Sequence, residues 1–313
     1  MAITAAQVKE LREMTGSGMM DCKKALTASD GNMDKAVEWL REKGLATAQK
    51  KASRIAAEGI SMAVVSPDAK KAVVVEVNSE TDFVAKNEKF QSYVRKVAEH
   101  ALVTAAKGLD EFLQQTSQVD PEKTVGDVLA AQIAVIGENL KIRRFQQVEE
   151  ENGILVAYTH MGGKIVAIVD LETDVNNEAV QEIGKNIAMQ VAALRPQYTS
   201  ADEVPQDFKD KEIEILTKQI AEDPKMAGKP EKVIQGAVQG RLNKELKEIC
   251  LLDQVYVKAE DGKQTVAQYV AQAAKEAGAN VKVKGFVRFE TGEGLEKKNE
   301  DFAAEVAAQM AGN

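Results

Sequence analysis

Aromatic residues make up only 4% of this 313-residue chain, with a single tryptophan, so its interior must be built mainly from Ala, Val, Ile and Leu. Cysteine is nearly absent: Cys22 and Cys250 form no CxxC pair and no metal-ligand spacing, which fits a reducing compartment. The two histidines, His100 and His160, have no obvious nucleophile to complete a triad. His100 sits in a helical pattern and reads as structural. No Walker A pattern exists, because Gly163-Lys164, Gly228-Lys229 and Gly262-Lys263 lack the upstream glycine and the following Ser or Thr. A basic excess is missing too: the net charge is −8, which argues against sequence-independent binding of nucleic acid. No apolar run approaches the ~20 residues of a membrane span, and MAITAAQVKELREMTG carries charges where a signal peptide needs an apolar stretch. These absences predict a soluble, cytoplasmic protein with no cofactor, no metal, no nucleic-acid or membrane partner and no covalent chemistry of its own.

What is present is organised. Residues 4–43 read as three short helices: Thr4 caps the first, with Val8 and Leu11 on one face, MMDCKKAL forms the second, and MDKAVEWLREKG the third. Trp39 is expected in their core. LATAQKKASRIAAEG follows as a helical linker. From Gly59 the chain repeats itself. GISMAVVSPDAKKAVVVEVNSETDF resembles GILVAYTHMGGKIVAIVDLETDV from Gly153, and both read as a hairpin reaching Glu-Thr-Asp, at 80–82 and 172–174. Helical patterns follow in each, through Phe90, Val94 and Val97, and through Val180, Ile183 and Ile187. Further on, 124–149 aligns without gaps on 265–290 at a constant offset of 141.

The predicted fold is α+β: an N-terminal three-helix module with its linker (1–54), a duplicated core of antiparallel sheet plus helices (55–149 and 150–290), and a C-terminal helical module (291–313). The second copy holds an insertion, 202–250, that reads as an antiparallel helical hairpin projecting from the core. After the core, TGEGLEKKNE reads as a polar linker, and DFAAEVAAQM as a helix whose stripe of Phe302, Val306 and Met310 must dock on something. The copies also differ after Glu-Thr-Asp, where the first has Phe83 and the second Val175. Phe83 either packs its own helix onto the core or stands exposed at the tip of a turn. Met19 and Met20 are core or contact residues on the same reading, with at least one expected in the core. Val233, Ile234, Val238, Leu242 and Leu246 are expected to be buried within the hairpin or against another chain.

At TDFVAKN and at LREMTGSGMMDCKKAL, 11–26, the sequence closely resembles the elongation factor Ts family, the bacterial guanine-nucleotide exchange factors for elongation factor Tu. The resemblance covers essentially the whole chain. It implies that the N-terminal module, similar to ubiquitin-associated domains, contacts the GTPase domain of Tu through Arg12, Met19 and Met20. It implies that Thr81, Asp82, Phe83 and Val84 approach the Mg²⁺ and phosphate region of Tu, the ring wedging between helices to release nucleotide. Asn87, which ends the same motif, Ile136 and Gly137 of the IGEN stretch, the turn at His160, Met161, Gly162 and Gly163, and Phe302 of the C-terminal helix are implied partner contacts. A homodimer through 205–249 is implied for several members. The rival reading is a non-catalytic adaptor that uses the ubiquitin-associated-like module to recruit a protein.

Overall fold

Several of the predicted helix starts carry a side-chain cap. Thr4 Oγ1 accepts from the Gln7 N–H at 3.2 Å while the Gln7 side chain accepts from the Thr4 N–H at 3.0 Å, two orphan donors satisfied at once. The computed structural model describes residues 3–226 and 228–296. Helices α1 (Ala5–Thr15), α2 (Met19–Ala28) and α3 (Met33–Lys51) bury Val8, Leu11, Cys22, Ala25, Leu26 and Ala36 among themselves. Trp39 is only half-buried against that cluster, its ring lying under the Lys43 ammonium at 5.2 Å.

The first half of the core runs β1 (Glu58–Val65), β2 (Lys71–Ser79), α4 (Asp82–Ala85), α5 (Glu88–Val103), α6 (Leu109–Gln114), α7 (Val125–Ile136) and β3 (Lys141–Glu149). The second runs β4 (Gly153–His160), β5 (Ile165–Glu172), α8 (Glu178–Leu194), α9 (Gln206–Ala221), α10 (Glu231–Ile249), α11 (Val266–Ala277) and β6 (Lys282–Glu290). Each half folds an antiparallel sheet, β1-β2-β3 or β4-β5-β6, with the central strand second in sequence. The two sheets pack face to face through Ala72, Val74, Leu155, Val166, Ile168 and Phe289. Helices cover the outer faces, α5 over Val73, Val75 and Val77, and α8 over Ala167, Val169 and Leu171. A central strand buried on both faces explains the unbroken apolar runs at 72–75 and 165–169.

The duplication holds in detail. Thr124 and Thr265 both make capping boxes, Gly137 and Gly278 both end their helices with positive φ (86° and 63°), and β3 and β6 start 141 residues apart. Both third strands carry one extra residue, Arg143 opposite Glu76/Val77 and Lys284 opposite Asp170/Leu171.

One part of the sequence alignment shifts. Asn78 lies opposite Lys141 and Glu172 lies opposite Lys282, so the ladders equate Glu172 with Asn78 and not with Glu80. From these positions the caps of the next helices are Asn87 and Asn177, which leaves the first copy four residues longer. Those residues form α4. Val175 is therefore not the register equivalent of Phe83, and its side chain packs on the second core.

Three further expectations change. Helix α3 continues through 45–51 because it packs on α7: Arg41 pairs with Asp127 at 3.1 Å, and a Cβ on Gly44 would lie 3.7 Å from the Ala130 carbonyl oxygen. Thr291 and Gly292, expected in a polar linker, are buried, with the Gly292 N–H bonded to Glu76 at 2.8 Å. In the inserted hairpin Leu216, Ile220, Val238 and Leu242 form a seam of their own, with Ile234 and Leu246 against it, but Val233 is exposed. Phe302, Val306 and Met310 lie outside the described residues. His100 is buried beside Phe112 at 5.1 Å, and burial holds its imidazole below the usual range, in keeping with a structural role.

The hairpin leaves and re-enters at one point. Leu251 N–H donates to the Tyr198 carbonyl at 2.8 Å and Leu252 N–H to that of Thr199 at 3.0 Å. Replacing 205–249 by a short Gly/Ser loop is thus expected to leave the remaining core folded, since closure costs little when the ends already touch. Circular dichroism melting is the check. A drop beyond about 5 °C would show that the hairpin supports the core.

A second expectation concerns pH. Asp170 lies beside Glu150, whose Oε2 accepts from Lys284 Nζ at 2.5 Å. Burial first, then the hydrogen bond and repulsion from Glu150, push the Asp170 carboxyl up to about 7, with Lys284 opposing and Glu172 adding to the rise. The folded chain then holds a proton that the unfolded chain releases near 3.8, so this contribution to stability is lost as pH rises from about 4 to about 7. Asp170→Asn is expected to flatten the fall in melting temperature between pH 5 and 8 and to stabilise the protein at pH 8 by about 1–2 kcal/mol, screening by water included. An unchanged slope would remove Asp170 as its source.

Candidate functional site

The four extra residues after β2 form a single helical turn, too short to stand by itself. Thr81 caps it, its Oγ1 accepting from Val84 N–H at 3.4 Å. Ala85 is buried and Val84 packs on the first core, while Phe83 points outward with 81% of its surface exposed. Asp82 is bound to Lys86 at 2.6 Å, and that hydrogen bond holds its carboxyl below the usual range, helped by the field of Lys164.

The turn is tied to the α7–β3 connection. Glu138 Oε2 accepts from the N–H groups of Glu80 and Thr81, both at 3.1 Å, and its Oε1 accepts from Thr81 Oγ1 at 2.7 Å. In return Glu80 Oε1 accepts from Asn139 N–H at 2.6 Å, and Asn139 Nδ2 donates to the Arg54 carbonyl at 2.7 Å. Gly137, at the tip of this connection, is exposed with Ile136 half-buried beside it.

The β4–β5 turn meets the same region. A Cβ on Gly163 would stand 2.7 Å from the Ser61 carbonyl oxygen, and Lys164 pairs with Glu58, so this turn rests on the start of β1, the strand on which α4 also packs. Met161 adopts φ 47° and is 72% exposed. A left-handed backbone at an exposed, large apolar residue stores strain that solvent contact does not return. His160 is exposed, its Nδ1 3.0 Å from the Tyr158 hydroxyl.

On the N-terminal module, Gly16 (φ 68°) ends α1 and the chain re-enters helix at Met19. Arg12, Met19 and Met20 line a groove of about 910 Å³ with Val8, Lys23 and, from the core, Lys89. Met19 and Met20 are 60% and 63% exposed, so neither is a core residue. Lys89 is the second residue of α5, the helix that follows the Phe83 turn. The module's methionines thus share their groove with the start of the helix that follows the exposed ring.

The family model described as Elongation factor TS matches residues 80–293. Elongation factor Ts of Clostridioides difficile is 50% identical over 308 residues, covering 98% of this chain and 99% of that relative. Those of Clostridium tetani and Clostridium botulinum are 49% and 47% identical over the same shares. The chain belongs to the elongation factor Ts family.

As a member of this family of translation elongation factors, it carries the anticipated residues in three places. Thr81, Asp82, Phe83, Val84, Ile136 and Gly137 share one corner, with His160, Met161 and Gly162 on the neighbouring turn. Arg12, Met19 and Met20 form the groove that ends at Lys89. Two of these positions have evident local duties: Val84 faces the core, and Asn87 Oδ1 caps α5 by accepting from Lys89 N–H at 2.9 Å. Phe302 lies outside the described residues. Glu80, Glu138 and Lys164 were missed by reading along the sequence. Glu138 stood inside the IGEN stretch, but its partners are 57 and 58 positions away and include backbone N–H groups, which leave no side-chain signature. Among the described residues no helix is long and apolar enough to cross a membrane, and no group of three His, Cys, Asp or Glu side chains is placed to hold a metal ion.

Proposed function

We propose that this protein binds elongation factor Tu·GDP and promotes release of GDP by disturbing the Mg²⁺ and phosphate site of Tu, so that GTP can load. The observation that carries the reading is Phe83, a fully presented ring on an extra turn that the duplicate core lacks. A GTPase that holds nucleotide at nanomolar affinity has roughly 12 kcal/mol to lose, so release without help is slow. A protein with no nucleotide site speeds release by binding the nucleotide-free conformation more tightly, and nucleotide must then weaken the complex by the same factor. A ring inserted into the partner's helix packing, beside the carboxylate of Asp82, favours that conformation.

The remaining contacts supply affinity. Arg12, Met19 and Met20 on a module spanning 1–54 dock the GTPase domain, and Arg12, Lys23 and Lys89 on the groove's rim, where Lys9 is paired with Glu13, suit an acidic surface. Thioether side chains adapt to such a surface. Asn87, Ile136, Gly137, His160, Met161 and Gly162 complete the footprint from core halves 55–149 and 150–290, and Phe302 of a 291–313 tail adds to it. Exposed Ile215 and Val233 on the hairpin offer a face for a homodimer through 205–249. The site of action is cytoplasmic. The test is release of a fluorescent GDP from Tu with and without this protein. Acceleration at substoichiometric amounts is expected, whereas stable binding without acceleration would make the protein an adaptor.

A further inference from the structure

The corner that presents Phe83 is anchored on its inner side by buried Ala85 and by Val84 packed on the first core. Helix α4 is four residues long, below the length at which helical hydrogen bonds offset the cost of nucleation. The ring itself is 81% exposed, so it contributes almost no packing of its own. Yet an anchor that must be ordered on binding loses part of what its contact gains. The point where the chain leaves β2 to enter this turn must be fixed beforehand as well.

We infer that Glu138 is the positioning residue for Phe83: its carboxylate holds the 80–84 turn in the geometry that exchange requires. One oxygen takes both successive N–H groups where the chain leaves β2, at 3.1 Å each, and the other takes the hydroxyl of the residue that caps α4, at 2.7 Å. Glu80 returns the bond to the Asn139 N–H at 2.6 Å, so the two turns are clasped from both sides. Hydrogen bonds to an ionised acceptor are the stronger kind.

The duplication provides an internal comparison. At the constant offset of 141, the residue matching Glu138 is Ala279, while Gly137 and Asn139 are matched by Gly278 and Asn280. Both connections close a helix with a left-handed glycine and enter the third strand alike. The carboxylate is therefore not needed to make this bend. It occurs in the copy that also has the four-residue extension, and alanine stands in the copy that lacks it.

This inference rests on the proposed role of Phe83, and the experiment separates the two. Catalysed release of fluorescent GDP from Tu is measured for Glu138→Ala, Glu138→Gln, Phe83→Ala and the double variant Glu138→Ala/Phe83→Ala. Glu138→Ala is expected to lower the maximal release rate roughly tenfold, as expected for losing hydrogen bonds to a charged acceptor. Glu138→Gln keeps an oxygen for the paired N–H groups and is expected to recover most of the rate. In the Phe83→Ala background the same alanine substitution is expected to change the rate less than about twofold, because a positioning residue has nothing left to position. Amide hydrogen exchange reads the clasp directly: Glu80 and Thr81 N–H groups are expected to exchange faster in Glu138→Ala. Unchanged exchange at those two amides, or additive losses in the double variant, would overturn the role of Glu138. Normal GDP release by Phe83→Ala would overturn the reading of the site beneath it.

Discussion

Phe83→Ala is expected to slow catalysed GDP release from Tu roughly 30- to 1000-fold while the melting temperature stays nearly constant. Truncating an anchor at the centre of an interface commonly costs on the order of 2–4 kcal/mol, and that loss gives this range if it falls wholly on the exchange transition state. Sharing with ground-state binding brings the effect toward the lower end. Stability should hardly respond, since the ring is 81% exposed and touches little of its own protein. Asp82→Ala acts in the same direction but more weakly: its carboxylate is half in water and already bound to Lys86 at 2.6 Å. Val175 does not serve as a control, because it packs on the second core. Val103 does. It is 65% exposed at the far end of α5, roughly 24 Å along the helix, and Val103→Ala should leave both exchange and melting unaltered. A sharp fall in melting temperature for Phe83→Ala with normal exchange per folded molecule would mean that the ring is part of the fold.

How much of this could be read from the chain depends on the kind of signal. Caps are local, so Thr4 announced a helix start that the hydrogen bonds reproduce, and the structure adds the same capping box at Thr124 and Thr265. The duplication was legible because both copies retain the same cap, the same helix-ending glycine and the same third strand. Register was not. Matching Glu-Thr-Asp to Glu-Thr-Asp follows side-chain identity, whereas the ladder counts residues through the neighbouring strand, and these disagree by the extension that became α4. The outward direction of Phe83 was equally hidden, since a phenylalanine beside Val84 and Ala85 gives one apolar cluster whichever of the three turns inward. Met19 and Met20 illustrate the same limit: spacing put them on a helix, but only the packing of α1 and α3 decided that both face water. A long-range carboxylate such as Glu138 leaves no periodic trace at all. Glu76 did leave one that was passed over, a lone acid inside VVVEVN, where a strand buried on both faces tolerates charge only if it is paired.

That acid carries the largest expected effect on stability. Glu76 is fully buried, and its carboxylate accepts from Arg143 Nη1 at 2.9 Å, Arg144 Nε at 2.6 Å, Asn78 Nδ2 at 3.0 Å and the Gly292 N–H at 2.8 Å. The arginines reach on to the Glu293 and Glu290 carbonyls at 2.6 and 3.3 Å, and Arg144 stacks on Phe289 at 4.1 Å. One carboxylate thereby ties β2 and β3 of the first half to the end of β6 in the second. Removing one partner of a buried pair costs about 3–5 kcal/mol; since both guanidinium groups keep some contact with water, Glu76→Ala should fall near 3, a large part of a typical folding free energy. Burial alone would raise the carboxyl, but the donors from Gly292, Asn78, Arg144 and Arg143 outweigh it and hold it below its ordinary 4.5. A depressed carboxylate contributes its full stability above 4.5 and loses it as pH falls through the lower folded value. Urea unfolding at pH 7 should therefore separate Glu76→Ala from the parent by about 3 kcal/mol, and the gap should narrow as the pH is lowered below 4.5. A gap under about 1 kcal/mol at pH 7, or one that ignores acid, would show that the arginines find other partners and that the two halves are held together by the apolar seam between the sheets.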